Sequence, residues 1–140
     1  MPSIAIVQAL RTCAKEVITI GAGYVASAAL PILAAGQPGR RSIITGTKLL
    51  LHQPTHTFGE TSKRSPGIEG WRHEVEFHEQ ITDQYFWALE QCSRQTASFW
   101  RDYLQGKPHR FLSAEEALRH GLIDHVIELN SHYAVTSAPF

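Results

Sequence analysis

Ser27 and His52 are the two residues whose types and surroundings suit acyl transfer. Ser27 lies in GYVASAALPILAAG, residues 23–36, a few positions past a glycine-bounded β-branched run. The alanine-rich stretch around it reads as a helix. A helix N-terminus presents unpaired N–H groups and a partial positive charge, an environment that suits an oxyanion developing beside a nucleophile. Ala26, Ala28 and Ala29 leave room for a substrate backbone to approach. A hydroxyl becomes a useful nucleophile only when a base removes its proton, and histidine is the usual base near neutral pH. His52 closes the apolar run LLLH and is followed by Gln53 and Pro54, so a strand ends there with an imidazole at its rim. Taken singly, Ser27 is better read as a plain helix cap, and His52 as one of eight scattered surface histidines.

The elements that must position these groups follow from local pattern. Ser3 is expected to cap a helix over Ile4 to Lys15 with Ile6, Ala9, Leu10 and Cys13 on one face. VITIGAG, Val17 to Gly23, reads as one buried strand, and a helix from near Ser27 to Gly36 follows. Pro31 would then fall just past the first turn, which predicts a kink. RSIITG and KLLLHQ read as strands, and residues 55–70 as an exposed loop. A long helix is expected over Trp71 to Gln91, with Val75, His78, Ile81, Tyr85 and Leu89 on its stripe. Phe77, Phe86 and Trp87 lie off the stripe, which suits packing on two sides. ASFWRDYLQG makes a short helix closed by Gly106. Ser113 and Glu116 form a capping box for a helix that Gly121 ends. LIDHVIEL is a strand, and residues 131–140 a loose tail. Helices alternating with short apolar strands give an α/β class.

GYVASAALPILAAG, then LLLHQP, then FLSAEEALRHGLIDHVI resembles the proteolytic subunit of the Clp protease family. That pattern has a Gly-x-Ala-x-Ser run leading to Ala-Ala-Gly, an apolar strand ending in His-Gln-Pro, and an S-A-x-E-A…G-L-I-D segment. The likeness covers about Ser3 to Leu129. It implies a crotonase-like fold of stacked βαβ units with a protruding long helix, in one domain over residues 1–130 with a tail over 131–140. It implies Ser27 as nucleophile, His52 as general base, and the Ala28 backbone N–H as an oxyanion-hole donor. It also implies rings, two stacked heptamers, fed with unfolded polypeptide by an AAA+ Clp ATPase in the cytoplasm or an organelle stroma or matrix. The long helix is the part that mediates contact between rings in that family.

Two departures bear on activity. The family's third triad member is an aspartate just before the residues leading into S-A-x-E-A; His109 stands there in this sequence. A neutral imidazole cannot supply the fixed negative charge that stabilises an imidazolium. Asp102 is the nearest upstream carboxylate and could substitute only if its helix turns inward. Asp124 reads as structural. The second departure is that the sequence starts at the family's first matched helix, so the N-terminal strands and Gly-Gly turn, with their oxyanion donor, are expected to be lacking. A non-catalytic structural subunit is therefore the rival function. An acyl-thioester enzyme of the crotonase superfamily is disfavoured, since a Ser/His pair is not that chemistry's usual equipment.

Other features point elsewhere only weakly. Thirteen basic residues balance thirteen acidic ones, so no net field favours nucleic acid or an anionic membrane. No apolar run reaches the ~18 residues of a spanning helix. Cys13 and Cys92 form no CxxC pair, which suits reducing, cytosol-like surroundings. HEVEFHE, residues 73–79, places its histidines five apart, on different sides of a helix, so no metal site is expected. GAGY lacks the spacing of a dinucleotide loop. The aromatic residues Phe77, Tyr85, Phe86, Trp87, Phe99 and Trp100 read as core and subunit contact. No cofactor is needed for Ser/His acyl transfer.

Overall fold

Parallel pairing, not local propensity, decides the first half of the chain. In the computed structural model, which describes residues 2–54 and 67–129, VITIGAGYVASA holds two strands rather than one. β1 is Thr19–Gly21 and β2 is Tyr24–Ala26. Gly23 makes the corner between them at φ +67°, a conformation that favours glycine. β3, Arg41–Ile44, lies beside β1, and β4, Lys48–His52, lies beside β2, both parallel. The helix expected from near Ser27 therefore starts later. Val25 sits opposite Leu49, and both are buried. The ladder and this burial outweigh the helical preference of the alanines around Val25.

The chain steps between two three-stranded sheets. One runs β1-β3-β6, with β6 at His125–Ile127 parallel to β3. The other runs β2-β4-β5, with β5 at His109–Leu112 antiparallel to β4. From β1 to β4 successive strands alternate between the two sheets, giving stacked turns; β5 then stays in the sheet of β4, and β6 returns to the first. β5 carries no alternating apolar pattern, so it is invisible as a strand in the sequence.

Helix α1 spans Pro2–Thr12. Ser3 is inside it and buried, so it is not the cap. The inward face carries Ile4 and Val7, while Ile6, Ala9 and Cys13 are exposed, a rotation from the expected face. Helix α2 is Ala29–Ala34. Its late start puts Pro31 at the third helical position, where the missing N–H is one of the unpaired donors of the first turn, so the expected kink has no cause.

Helix α3, Ile68–Cys92, buries its second half through Thr82, Tyr85, Phe86, Ala88, Leu89 and Cys92. Ile68, Val75 and Phe77, in its first half, are exposed. Val75 thus leaves the expected stripe and Phe86 joins the core, because the buried face follows α2 and α4 rather than a straight line of residues. Helix α4, Ala97–Tyr103, is capped by the Thr96 side chain. Helix α5, Ala114–Arg119, has the capping box of Ser113 and Glu116 that the sequence signals. The loop expected over 55–70 lies outside the described residues as far as 66, and α3 already begins at Ile68; the tail expected over 131–140 lies outside them too.

One buried cation ties these layers together. The Arg41 guanidinium meets Asp124 through Nε–Oδ2 at 2.8 Å and Nη2–Oδ1 at 2.7 Å. Its Nη1 donates to the carbonyls of Cys92 at 2.7 Å and Gly121 at 2.8 Å. Asp124 also accepts from the Gly39 N–H at 2.7 Å. β3, the end of α3 and the turn after α5 are thus joined through one side chain. The Arg41 guanidinium holds the Asp124 carboxyl at about 2, well below its ordinary range.

Candidate active site

Three candidate residues gather at one end of the β2-β4-β5 sheet by register alone. Parallel β2 and β4 end there together, with Ala26 opposite Leu50. Ser27 follows Ala26, and its N–H donates to the Leu50 carbonyl at 3.0 Å. His52 stands two residues further along β4. Antiparallel β5 begins at the same end, with His109 directly opposite His52. The carboxyl ends of parallel strands are where such sheets ordinarily present ligand-binding groups.

Strand alternation sets which face these groups occupy. Leu49 and Leu51 are fully buried, whereas Leu50 and His52 are half-buried on the other face. A slip of one residue would drive the imidazole into the core. The Gln53 N–H donates to the Pro108 carbonyl at 3.3 Å, which marks His52 and His109 as a non-hydrogen-bonded cross-strand pair, the closer kind. His109 is exposed, with its ring edge toward Phe111 at 6.3 Å between centroids.

Ser27 does not cap α2. Ala28 is the N-cap residue, and no side chain caps that helix. Ser27 instead holds φ at +50°, making it the non-glycine residue with positive φ among the described residues. An L-residue in this region costs about 1–2 kcal/mol, and such strain concentrates at functional sites. The chain turns sharply from strand to helix at this serine, and Ala28, in helical conformation, brings its backbone to the mouth of α2. The Leu30 N–H donates to the Ser27 carbonyl at 3.1 Å, closing that turn.

The far side of the His52 ring lacks a partner. Among the described residues, nothing hydrogen-bonds the buried Nδ1 of His52. Asp102 lies exposed on α4, beside a cavity lined by Phe99, Tyr103, Gln105, Lys107 and Arg110. Asp124 is engaged by Arg41, in the structural place expected of it. A buried phenol joins the site instead. The Tyr85 hydroxyl donates to the Ser27 carbonyl at 3.3 Å and lies close enough to the His52 backbone N–H for that N–H to pull its pKa down. Sequence reading places Tyr85 in the core but misses this contact; the available signal was a phenol on a buried stripe, since such a hydroxyl needs a partner. Burial pushes the phenol well above its ordinary range, and the His52 N–H pulls the other way.

No group of three or more metal-type ligands occurs among the described residues, and His73 and His78 do not form one. No helix among them is long and apolar enough to cross a membrane.

A family model described as Clp protease matches residues 1–130. The ATP-dependent Clp protease proteolytic subunit 3 of a Synechococcus species is 34% identical over 130 residues, covering 89% of this chain and 58% of the relative. Subunit 1 of Corynebacterium glutamicum is 31% identical over 125 residues, covering 89% and 57%. Subunit 2 of Prochlorococcus marinus is 32% identical over 124 residues, covering 89% and 58%. The chain thus spans a little over half the length of these curated relatives.

Proposed function

This chain belongs to the Clp protease family, with its crotonase-like fold, and we propose that it is a proteolytic subunit that cleaves polypeptides through a Ser27 acyl-enzyme. The observation that carries the reading is the register that gathers Ser27, His52 and His109 at one sheet end. Ser27 Oγ attacks the scissile carbonyl while His52 takes its proton. The C–O bond forms, the C–N bond breaks, and His52 returns the proton to the leaving amine. Water then enters by the same route and releases the acyl group. The Ala28 N–H is the backbone donor assigned to the developing oxyanion on this reading.

On this reading His109, opposite His52, takes the third position of the triad, where an imidazole supplies no negative charge, so the proposed enzyme is slow rather than silent. Residual catalysis survives loss of a triad member, through the oxyanion donors and substrate binding. Its natural context, on this reading, is a ring of seven subunits stacked on a second ring, served by an AAA+ Clp ATPase that delivers unfolded chains in the cytoplasm. The exposed apolar residues Ile18, Ile20 and Tyr24 on β1, β2 and the residues leading into them suit burial between subunits.

A fluorophosphonate probe tests the chemistry directly. Labelling of the chain that disappears in Ser27→Ala supports the peptidase. A well-folded chain that takes no label at Ser27 overturns it and assigns the non-catalytic subunit.

A further inference from the structure

The β2–β4 ladder breaks at the serine, and a side chain from another element fills the break. In a parallel pair, a residue whose N–H bonds a partner carbonyl offers its own carbonyl to the N–H two residues further along that partner. The Ser27 N–H bonds the Leu50 carbonyl, so the next rung would run from the His52 N–H to the Ser27 carbonyl. The positive φ of Ser27 turns the chain away toward α2 at this point. β5 cannot take up the His52 N–H, because His52 and His109 form a non-hydrogen-bonded pair whose peptide groups face away from each other. The Tyr85 hydroxyl occupies the gap. It donates to the Ser27 carbonyl at 3.3 Å, on the side of β4 where the His52 N–H has no β5 partner.

We propose that Tyr85 is a positioning residue of this site, its hydroxyl replacing the missing rung and fixing the serine backbone relative to the histidine backbone. The role rests on the Ser27–His52 reading above. Tyr85 touches neither side chain of the pair through its hydroxyl; it acts through their main chains. Its ring is fully buried and packs edge-on against Phe86 at 5.5 Å, so the hydroxyl is delivered by a rigid part of α3. A phenylalanine would fill the same volume and take the hydroxyl away from both backbone groups. The left-handed turn could then relax and carry Ser27 Oγ away from the base.

The test compares Tyr85→Phe with Leu89→Val, a packing control on the same buried face. Each is made in the full chain and checked for folding by circular dichroism. Fluorophosphonate labelling is resolved into kinact and KI. The expected result is a fall in kinact of about 10–100-fold in Tyr85→Phe with KI unchanged, since small misplacements of reacting groups cost rates of this order. Leu89→Val should keep the parent kinact. The backbone amide and ring resonances of His52 provide a reading independent of activity: they should move in Tyr85→Phe and stay in place in Leu89→Val. A parent kinact in Tyr85→Phe, or unmoved His52 resonances, overturns the bridge. If the parent chain takes no label at Ser27, the peptidase reading fails, and the His52 resonances still decide whether the phenol holds that strand end.

Discussion

Replacing His109 by aspartate should raise the rate of Ser27 acylation. His109 faces His52 across a non-hydrogen-bonded antiparallel pair, for which Cα atoms lie about 4.5 Å apart and Cβ atoms about 4.5–5.5 Å. A carboxylate at this position is expected to address the His52 Nδ1, which has no hydrogen-bond partner among the described residues. The exposure of position 109 keeps the desolvation cost of the new charge small. In the worked serine-protease triad, neutralising the aspartate costs about 10⁴ in kcat. That figure is the ceiling, because the substitution adds no oxyanion donor. We expect an increase of about 10²–10⁴-fold, equivalent to about 3–5 kcal/mol of transition-state stabilisation. The assay is the second-order rate of fluorophosphonate labelling, with cleavage of a fluorogenic peptide as a second readout. His109→Asn separates charge from shape and should give no gain. Labelling that is no faster in His109→Asp than in the parent, or equal gains from aspartate and asparagine, refutes the reasoning. Either result would mean that position 109 does not address the imidazole.

Two further predictions concern the scaffold. Asp124 has a folded pKa of about 2 against an ordinary value of 3.8, so its contribution of about 2–3 kcal/mol is present above pH ~4 and is lost as pH falls toward 2. Acid titration followed by circular dichroism should show this loss, and Asp124→Asn should flatten the acid limb. Breaking the pair should also lower stability by about 3–5 kcal/mol at neutral pH, measured by urea denaturation. Gly36→Ala would place a Cβ 2.9 Å from the Thr19 Cγ2 and closer still to its Oγ1, with the Arg41 Cγ 3.0 Å away. It should cost about 1–3 kcal/mol in the same assay and leave the pH dependence unchanged.

Local signals carry the parts of this fold that local physics decides. The Ser113–Glu116 capping box, the strands at RSII and KLLLH, and the long helix α3 can each be read without knowing what they pack against. The misread elements are those settled by pairing at a distance. Val25 becomes a strand residue because Leu49 lies beside it, and His109 enters a strand because β4 is waiting for it. The site follows the same division. Residue types and motif spacing expose Ser27, His52 and the substitution at 109. They do not expose the left-handed serine, because its conformation is imposed by the jump from a β4-paired strand to α2. Nor do they expose Tyr85, whose hydroxyl matters only once the ladder is seen to lack a rung. The two omissions have one physical origin. A chain that leaves a parallel ladder at a non-glycine residue pays in strain and leaves a peptide N–H without its strand partner. In this chain β2 ends in a left-handed serine, and the group that α3 brings to the Ser27 carbonyl at that point is a phenol.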